Sequence, residues 1–297
     1  MPGSESGLTR RQLLVAGAAA AGYAAAAGPV SAAAIRTPSE GLLEGLVEVP
    51  VKDGTLRAYR ARPAGDPKLP VLLVVHEIFG VHEYVRDVCR RLAFEGYLAV
   101  APDLYQRQGD PGKLEDIDAV LEQVVSRVPD AQVLSDLDAT LAWADTNGGK
   151  PGQAGITGFC WGGRIVWLYA AHRPKLQAGV AWYGRLAGKA RDETPTHPLD
   201  LDTDAIAPVL GLYGGADSGI PLELVFEMRK KLTANEIDPE RRSEIMIFPA
   251  APHGFHADYR ASYRDLSAQE GWRRMLEWFE RHDLSAEKPA QAAAASG

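Results

Sequence analysis

At 297 residues, 46% hydrophobic and 24% charged, the chain has enough apolar material for one large folded domain and is not disordered throughout. Its formal charge of −7 supplies no basic stripe for a phosphate backbone, which argues against nucleic-acid binding and for small-molecule partners. Two cysteines, Cys89 and Cys160, exclude a disulfide scaffold and a cysteine-based zinc site, since both need more thiols at tight spacing.

The first thirty-odd residues differ from the rest. Thr9-Arg10-Arg11-Gln12-Leu13-Leu14 precedes an Ala-rich apolar stretch to about Ala27, and Val30-Ser31-Ala32-Ala33-Ala34 closes it. A charged start, a modest apolar middle and a small-residue end of the A-x-A kind compose a twin-arginine export signal over 1–34. A membrane-spanning helix would need roughly 20 strongly apolar residues, and an uncleaved anchor is the alternative. Cleavage near Ala32 to Ala34 removes Glu5, Arg10 and Arg11, leaving the mature chain slightly more acidic. The expected location is the periplasm or the exterior of a bacterium, with the export machinery as a transient partner.

From Leu42 onward, short apolar runs alternate with amphipathic stretches. Leu46–Val51 and Leu56–Arg62 flank Asp53-Gly54, a turn signal that predicts a hairpin. Core strands follow at Val71–Val75, Tyr97–Ala101, Ala154–Phe159, Ala178–Trp182, Val209–Tyr213 and Glu244–Phe248, and their near-continuous apolar character says both faces are covered. Apolar spacings of three and four predict helices at His82–Glu95, Leu114–Arg127, Ser135–Thr146, Gly163–His172, Pro221–Asn235 and Ala268–His282. The alternation implies an α/β fold with a mainly parallel sheet of about eight strands and no separate cap domain, over 35–284. Tyr183–Ala207 lacks periodicity and reads as a long loop bordering a pocket, and 285–297 as a low-complexity disordered tail.

Gly158-Phe159-Cys160-Trp161-Gly162-Gly163 closes a strand and opens a helix, the G-x-Nu-x-G form of a nucleophile elbow with Cys in place of Ser. The Trp161 N–H, in the first turn of that helix, is placed to meet a developing oxyanion. Such an elbow needs an acid and then a histidine after later strands. Asp217 follows Val209–Tyr213 and His253 follows Glu244–Phe248, in the required order, so Asp217 would orient His253, and His253 would exchange protons with Cys160.

At these residues the chain resembles the dienelactone hydrolase (carboxymethylenebutenolidase) family of α/β hydrolases. The likeness extends to His76-Glu77-Ile78-Phe79-Gly80, Pro102-Asp103-Leu104-Tyr105-Gln106-Arg107 and Pro252-His253-Gly254-Phe255. It implies a Cys-Asp-His triad, Glu77 in contact with the thiol, Ile78 as second oxyanion N–H donor, and Arg107 gripping a substrate carboxylate. The family also carries a second arginine a few residues beyond the histidine. Here the first arginine after His253 is Arg260, so either Arg260 substitutes for it or the second clamp is missing.

The implied activity is hydrolysis of a small, carboxylate-bearing ester or lactone through a thioacyl enzyme, without a cofactor or metal. A general carboxylesterase or thioesterase is the nearest rival, and a thiol redox or binding protein without turnover the rival of another class. Val85, Val88 and Leu92 put Cys89 on a buried helix face, and a Cys89–Cys160 bridge would need Cα atoms within roughly 5.5 Å. His76 and His256 could line the site, although lone histidines are more often satisfied locally; Tyr105, Trp161 and Tyr183 are candidate pocket walls.

Overall fold

The structure, a computed structural model, describes residues 35–65, 67–234 and 241–286; the expected export signal at 1–34 and most of the expected tail lie outside them. Eight strands form one sheet in the order β1-β2-β4-β3-β5-β6-β7-β8. β1 (Leu42–Val51) and β2 (Gly54–Pro63) make the predicted hairpin, closing where Val51 pairs with Gly54. β2 also runs antiparallel to β4 (Leu98–Pro102). All remaining neighbours are parallel: β3 (Leu69–Val75), β5 (Gly149–Phe159), β6 (Ala178–Trp182), β7 (Val209–Gly214) and β8 (Glu244–Phe248). Every residue of β3 is buried, as a strand covered by helices on both faces must be, whereas edge strand β1 alternates and leaves Leu43 and Leu46 exposed.

The helices are α1 (Glu83–Phe94), α2 (Ile117–Gln123), α3 (Asp130–Thr146), α4 (Trp161–His172), α5 (Leu222–Thr233) and α6 (Asp265–Arg281). Two depart most from the periodicity reading. The single helix expected over 114–127 breaks into α2 and a 3-10 turn at Val125–Arg127: Asp116 caps α2 by accepting from Ala119 N (2.7 Å), and α2 ends at the β-branched Val124, whose φ of −117° is well off the usual helical value. α3 starts five residues before Ser135, because Asp130 is already helical and spends its carboxylate on Arg164 of α4, Oδ1 and Oδ2 each 2.7 Å from a guanidinium nitrogen. That fork neutralises a buried arginine. Arg164 also donates to Thr196 O (2.6 Å), and Asp130 N to Glu193 O (2.8 Å), so the 183–207 connection is tied to α3 and α4.

The chain leaves β3 toward β4 on one side and β5 toward β6 on the other. The carboxyl ends of β3 and β5 therefore flank the switch point, the place where open α/β sheets hold their ligands.

Candidate active site

Cys160 sits between the last residue of β5 and the first of α4, with φ 59° and ψ −113°. Few non-glycine residues adopt this conformation, which stores strain of order 1–3 kcal/mol, and the surrounding packing holds it. Cys160 N donates to Trp182 O (3.0 Å), and Gly163 N donates back to Cys160 O (3.1 Å). The flanking glycines permit the close approach. A Cβ on Gly162 would strike the carbonyls of Val75 and His76 at the end of β3, and one on Gly163 would lie 2.5 Å from Trp182 O. The elbow is thus wedged against the segment that carries Glu77 and Ile78. Trp161 opens α4, so its N–H is among the four that a helix leaves without an internal partner.

Asp217 and His253 arrive from the next strands outward. Gly215 N donates to Phe248 O (2.8 Å) and Ala216 N to Ala251 O (3.0 Å), which clamps the turn after β7 against the turn after β8. Asp217 Oδ1 accepts from Gly219 N (2.8 Å) and Ile220 N (3.1 Å), leaving Oδ2 for His253 Nδ1 at 2.8 Å. Both side chains are 1% exposed. Burial pulls the imidazole's pKa down, but the Asp217 carboxylate and the Cys160 sulfur outweigh it and push His253 up to about 10. The structure therefore brings Cys160, Asp217 and His253 to one point at the carboxyl edge of the sheet.

Glu77 is fully buried, and its carboxylate is held by three partners. Tyr259 Oη donates to Oε2, Arg260 Nη2 lies 3.4 Å from Oε1, and His82 Nε2 is 3.9 Å from Oε2. Desolvation alone would raise its pKa; Arg260 first, then His82 and Tyr259, reverse this and hold it at about 2. Arg260 Nε donates to Tyr259 Oη (2.9 Å), and its guanidinium lies 5.2 Å from the Phe79 ring centre. The sulfur of Cys160 is close enough to act electrostatically on Arg260. Arg260 is thus in the site despite its distance in sequence from His253. Tyr259 belongs to the cluster as well, and no motif pointed to it: its partner Glu77 is 182 residues away.

Arg107 is already paired. Its guanidinium is shared between Asp53 (2.6 and 2.7 Å) and Asp136 (2.7 and 3.1 Å), an arrangement that ties the β1–β2 turn to α3. The structure does not bring Arg107 together with the triad. Two carboxylates already saturate its fork, so a substrate carboxylate would have to displace them.

Tyr105, Trp161 and Tyr183 do wall the site: Tyr105 packs edge-on to Trp161 (4.8 Å between centroids) and Tyr183 edge-on to His253 (5.2 Å). His76 stacks on Trp161, donating from Nδ1 to Glu77 O (2.7 Å) and accepting at Nε2 from Leu104 N (3.2 Å). His256 points the other way, to Tyr84 Oη (2.6 Å), among Phe159, Trp182 and Trp272; burial drives its pKa to about 3, so it is a neutral packing residue. Cys89 is a fully buried core thiol, and neither it nor Cys160 is in a disulfide.

A parallel sheet with an elbow after its central strand, followed by an acid and a histidine after later strands, defines an α/β hydrolase. The family model for the "Dienelactone hydrolase family" matches residues 56–283, and the chain belongs to that family. It is 53% identical over 262 residues to a Salmonella typhimurium protein named "Putative carboxymethylenebutenolidase", covering 88% of this chain and 96% of that one. A Methylorubrum extorquens protein of the same name is 50% identical over 277 residues, 93% of this chain and 94% of the relative. The crystal structure titled "Putative Dienelactone Hydrolase" from Klebsiella pneumoniae superposes with a TM-score of 0.77 at 53% identity, covering 80% of this chain and 98% of that chain. The chain is accordingly a hydrolase of ester or lactone bonds.

Proposed function

We propose that the chain hydrolyses a small carboxylate-bearing lactone or ester by nucleophilic catalysis at Cys160. The observation that carries this reading is the 2.8 Å contact from Asp217 to His253 Nδ1, with the imidazole turned to the elbow cysteine. In acylation the Cys160 thiolate attacks the carbonyl carbon, a C–S bond forms, and the N–H groups of Trp161 and Ile78 take the oxyanion. Collapse breaks the acyl C–O bond, and the leaving oxygen takes its proton from His253. In deacylation His253 accepts a proton from water as it attacks the thioester, and the sulfur leaves.

Glu77 and Arg260 explain how the thiolate would be made on demand. At rest the Glu77 carboxylate is committed to Arg260 and Tyr259. A substrate carboxylate that engages Arg260 competes for that cation, freeing Glu77 to turn to the sulfur and take its proton. Arg260, not Arg107, is the arginine this scheme uses. From the twin-arginine segment we infer further that the mature protein works outside the cytoplasm. Fractionation of a bacterial host is expected to recover it from the periplasm with a start near Ile35; a cytoplasmic protein that retains Arg10 and Arg11 would overturn this.

The decisive experiment is hydrolysis of dienelactone, other lactones and neutral aryl esters by the parent protein and Cys160→Ala. Turnover of anionic lactones that disappears in Cys160→Ala is the expected result. Turnover of neutral esters alone would make the protein a general esterase, and turnover that survives in Cys160→Ala would refute the thioacyl route.

A further inference from the structure

Residues 35–37 are tied to α1 and to the connection between β8 and α6. Ile35 N donates to Asp258 Oδ1 (3.3 Å), the Arg36 guanidinium is 3.6 Å from Glu83, and Thr37 donates to Asp87 from its main-chain N and from Oγ1 (3.2 Å). The side chains of Asp87 and Asp258 are 0% and 1% exposed. Arg91 bridges them, Nη2 lying 2.6 Å from Asp87 and 2.5 Å from Asp258. Arg90 joins Asp87 (2.9 Å) to Glu83 (2.6 Å) and Glu44 (3.4 Å).

Among the described residues this connected network holds four carboxylates, Glu44, Glu83, Asp87 and Asp258, against three guanidiniums, Arg36, Arg90 and Arg91. It is one cation short, and the shortfall falls at Asp258, whose arginine is shared with Asp87. Burial first, and then the like charge of Asp87, raise the Asp258 carboxyl above its ordinary pKa in spite of Arg91. The donor that Ile35 adds is a main-chain N–H, which brings a proton and no charge. A buried carboxylate so placed gains most from a cation at that same nitrogen.

The sequence offers that cation independently of the geometry. Ala32-Ala33-Ala34 is the small-residue end of the expected leader, so cleavage after Ala34 leaves Ile35 first. A signal peptidase adds water across the Ala34–Ile35 amide: the C–N bond breaks, Ala34 departs as a carboxylate, and the Ile35 nitrogen takes a proton to become an ammonium. An ordinary α-amine has a pKa of about 7.7–8.0, so this one is largely charged at neutral pH before any pairing.

We propose that Asp258 is the docking site for the α-ammonium of a chain processed to begin at Ile35, and that this pairing sets the loop from which Tyr259 and Arg260 hold Glu77. It rests on the export reading and adds what leader removal does to the enzyme. The link to the site runs through the chain itself. Tyr259 and Arg260 directly follow Asp258, and the turns Ala257 N to Gly254 O (2.9 Å) and Arg260 N to Ala257 O (3.0 Å) fix Asp258 between them and His253. Asp258 is a positioning residue, and the unprocessed chain meets it with an uncharged amide only.

The test starts from protein recovered from the periplasm, its first residue read by intact mass. Acetic anhydride labelling at pH 7.5, quantified on the amino-terminal peptide, reads the uncharged fraction of the Ile35 amine. Labelling is expected to be about tenfold faster in Asp258→Asn than in the parent, with Asp258→Glu between the two. Equal labelling in parent and Asp258→Asn overturns the docking. A glycine inserted between Ala34 and Ile35 keeps every side chain and moves the ammonium about 3.8 Å along the chain. In that protein and in Asp258→Asn, amide hydrogen exchange at Arg260 and Tyr263 is expected to be about tenfold faster than in the parent, with β3 unchanged. Equal exchange at Arg260 and Tyr263, or faster exchange in β3 as well, overturns the link to Tyr259 and Arg260. A start other than Ile35 overturns the proposal, and retention of Arg10 and Arg11 overturns the export reading with it; an Ile35 start with an equally reactive amine overturns the proposal alone.

Discussion

At the residue scale, the site is governed by two buried charge arrangements that pull in opposite directions. Asp217 raises the proton affinity of His253, and Arg260 with Tyr259 keeps Glu77 ionised. Asp217→Asn tests the first. The amide cannot hold the positive charge and presents an N–H where Nδ1–H now donates, so the imidazole flips tautomer or loses its partner. His253 should then titrate well below about 10, nearer its ordinary 6.5, and kcat should fall by roughly 10²–10⁴ with little change in KM. An imidazole resonance that titrates as in the parent, or a kcat within twofold of it, would show that Asp217 does not orient the base. Asp217 and His253 were legible because each follows a strand in a known order. The partnership of Glu77 with Tyr259 and Arg260 was not, since nothing local in either segment encodes a contact across 182 residues. The pairing of Arg107 was not legible for a related reason: an arginine beside a strand end looks the same in sequence whether its fork is open or taken by Asp53 and Asp136.

At the element scale, legibility followed burial. β6 and β8 fall where continuous apolar runs put them, and β3 and β7 differ from those runs by only one or two residues at an end. β5 begins at Gly149, five residues before Ala154, because Gly149–Gln153 is polar and mostly exposed and pairs only through a register break beside Leu69 and Val71. Hydrophobicity cannot reveal strand residues that bury nothing. α4 shows the opposite case. It begins at Trp161 rather than Gly163, its first turn being Trp-Gly-Gly, a poor helix sequence in isolation. Those glycines lower helix propensity and are kept because β3 and β6 approach too closely for a side chain. The residues that weaken the helix locally are the ones that let Cys160 project between two strands, so the functional site is where local propensity and tertiary structure disagree.

At the scale of the whole molecule, both charge arrangements make stability depend on pH, with opposite signs. Glu77 is held near 2 in the fold against an ordinary 4.5, so its contribution is complete above about 4.5 and is lost as pH falls toward 2. His253 is raised to about 10 from 6.5, so its contribution is complete below about 6.5 and is lost as pH rises through 10. Their joint contribution is therefore greatest between about pH 4.5 and 6.5, and at 1.36 kcal/mol per unit each is worth at most about 3 to 5 kcal/mol. Urea unfolding from pH 2.5 to 10 should show the two edges separately. Glu77→Gln leaves Arg260 buried without its counter-ion and should lower stability at pH 5.5 by about 3 kcal/mol or more. It should also flatten the acid edge, with the slope below pH 4.5 falling by up to one proton while the alkaline edge stays. His253→Asn should do the reverse, leaving the acid edge and removing up to one proton from the alkaline slope. The comparison does not depend on the absolute size of either shift, because each substitution deletes one titration and spares the other. An acid slope unchanged in Glu77→Gln would mean that Glu77 is protonated in the resting protein, and the electrostatic latch on the thiol would then have to be abandoned.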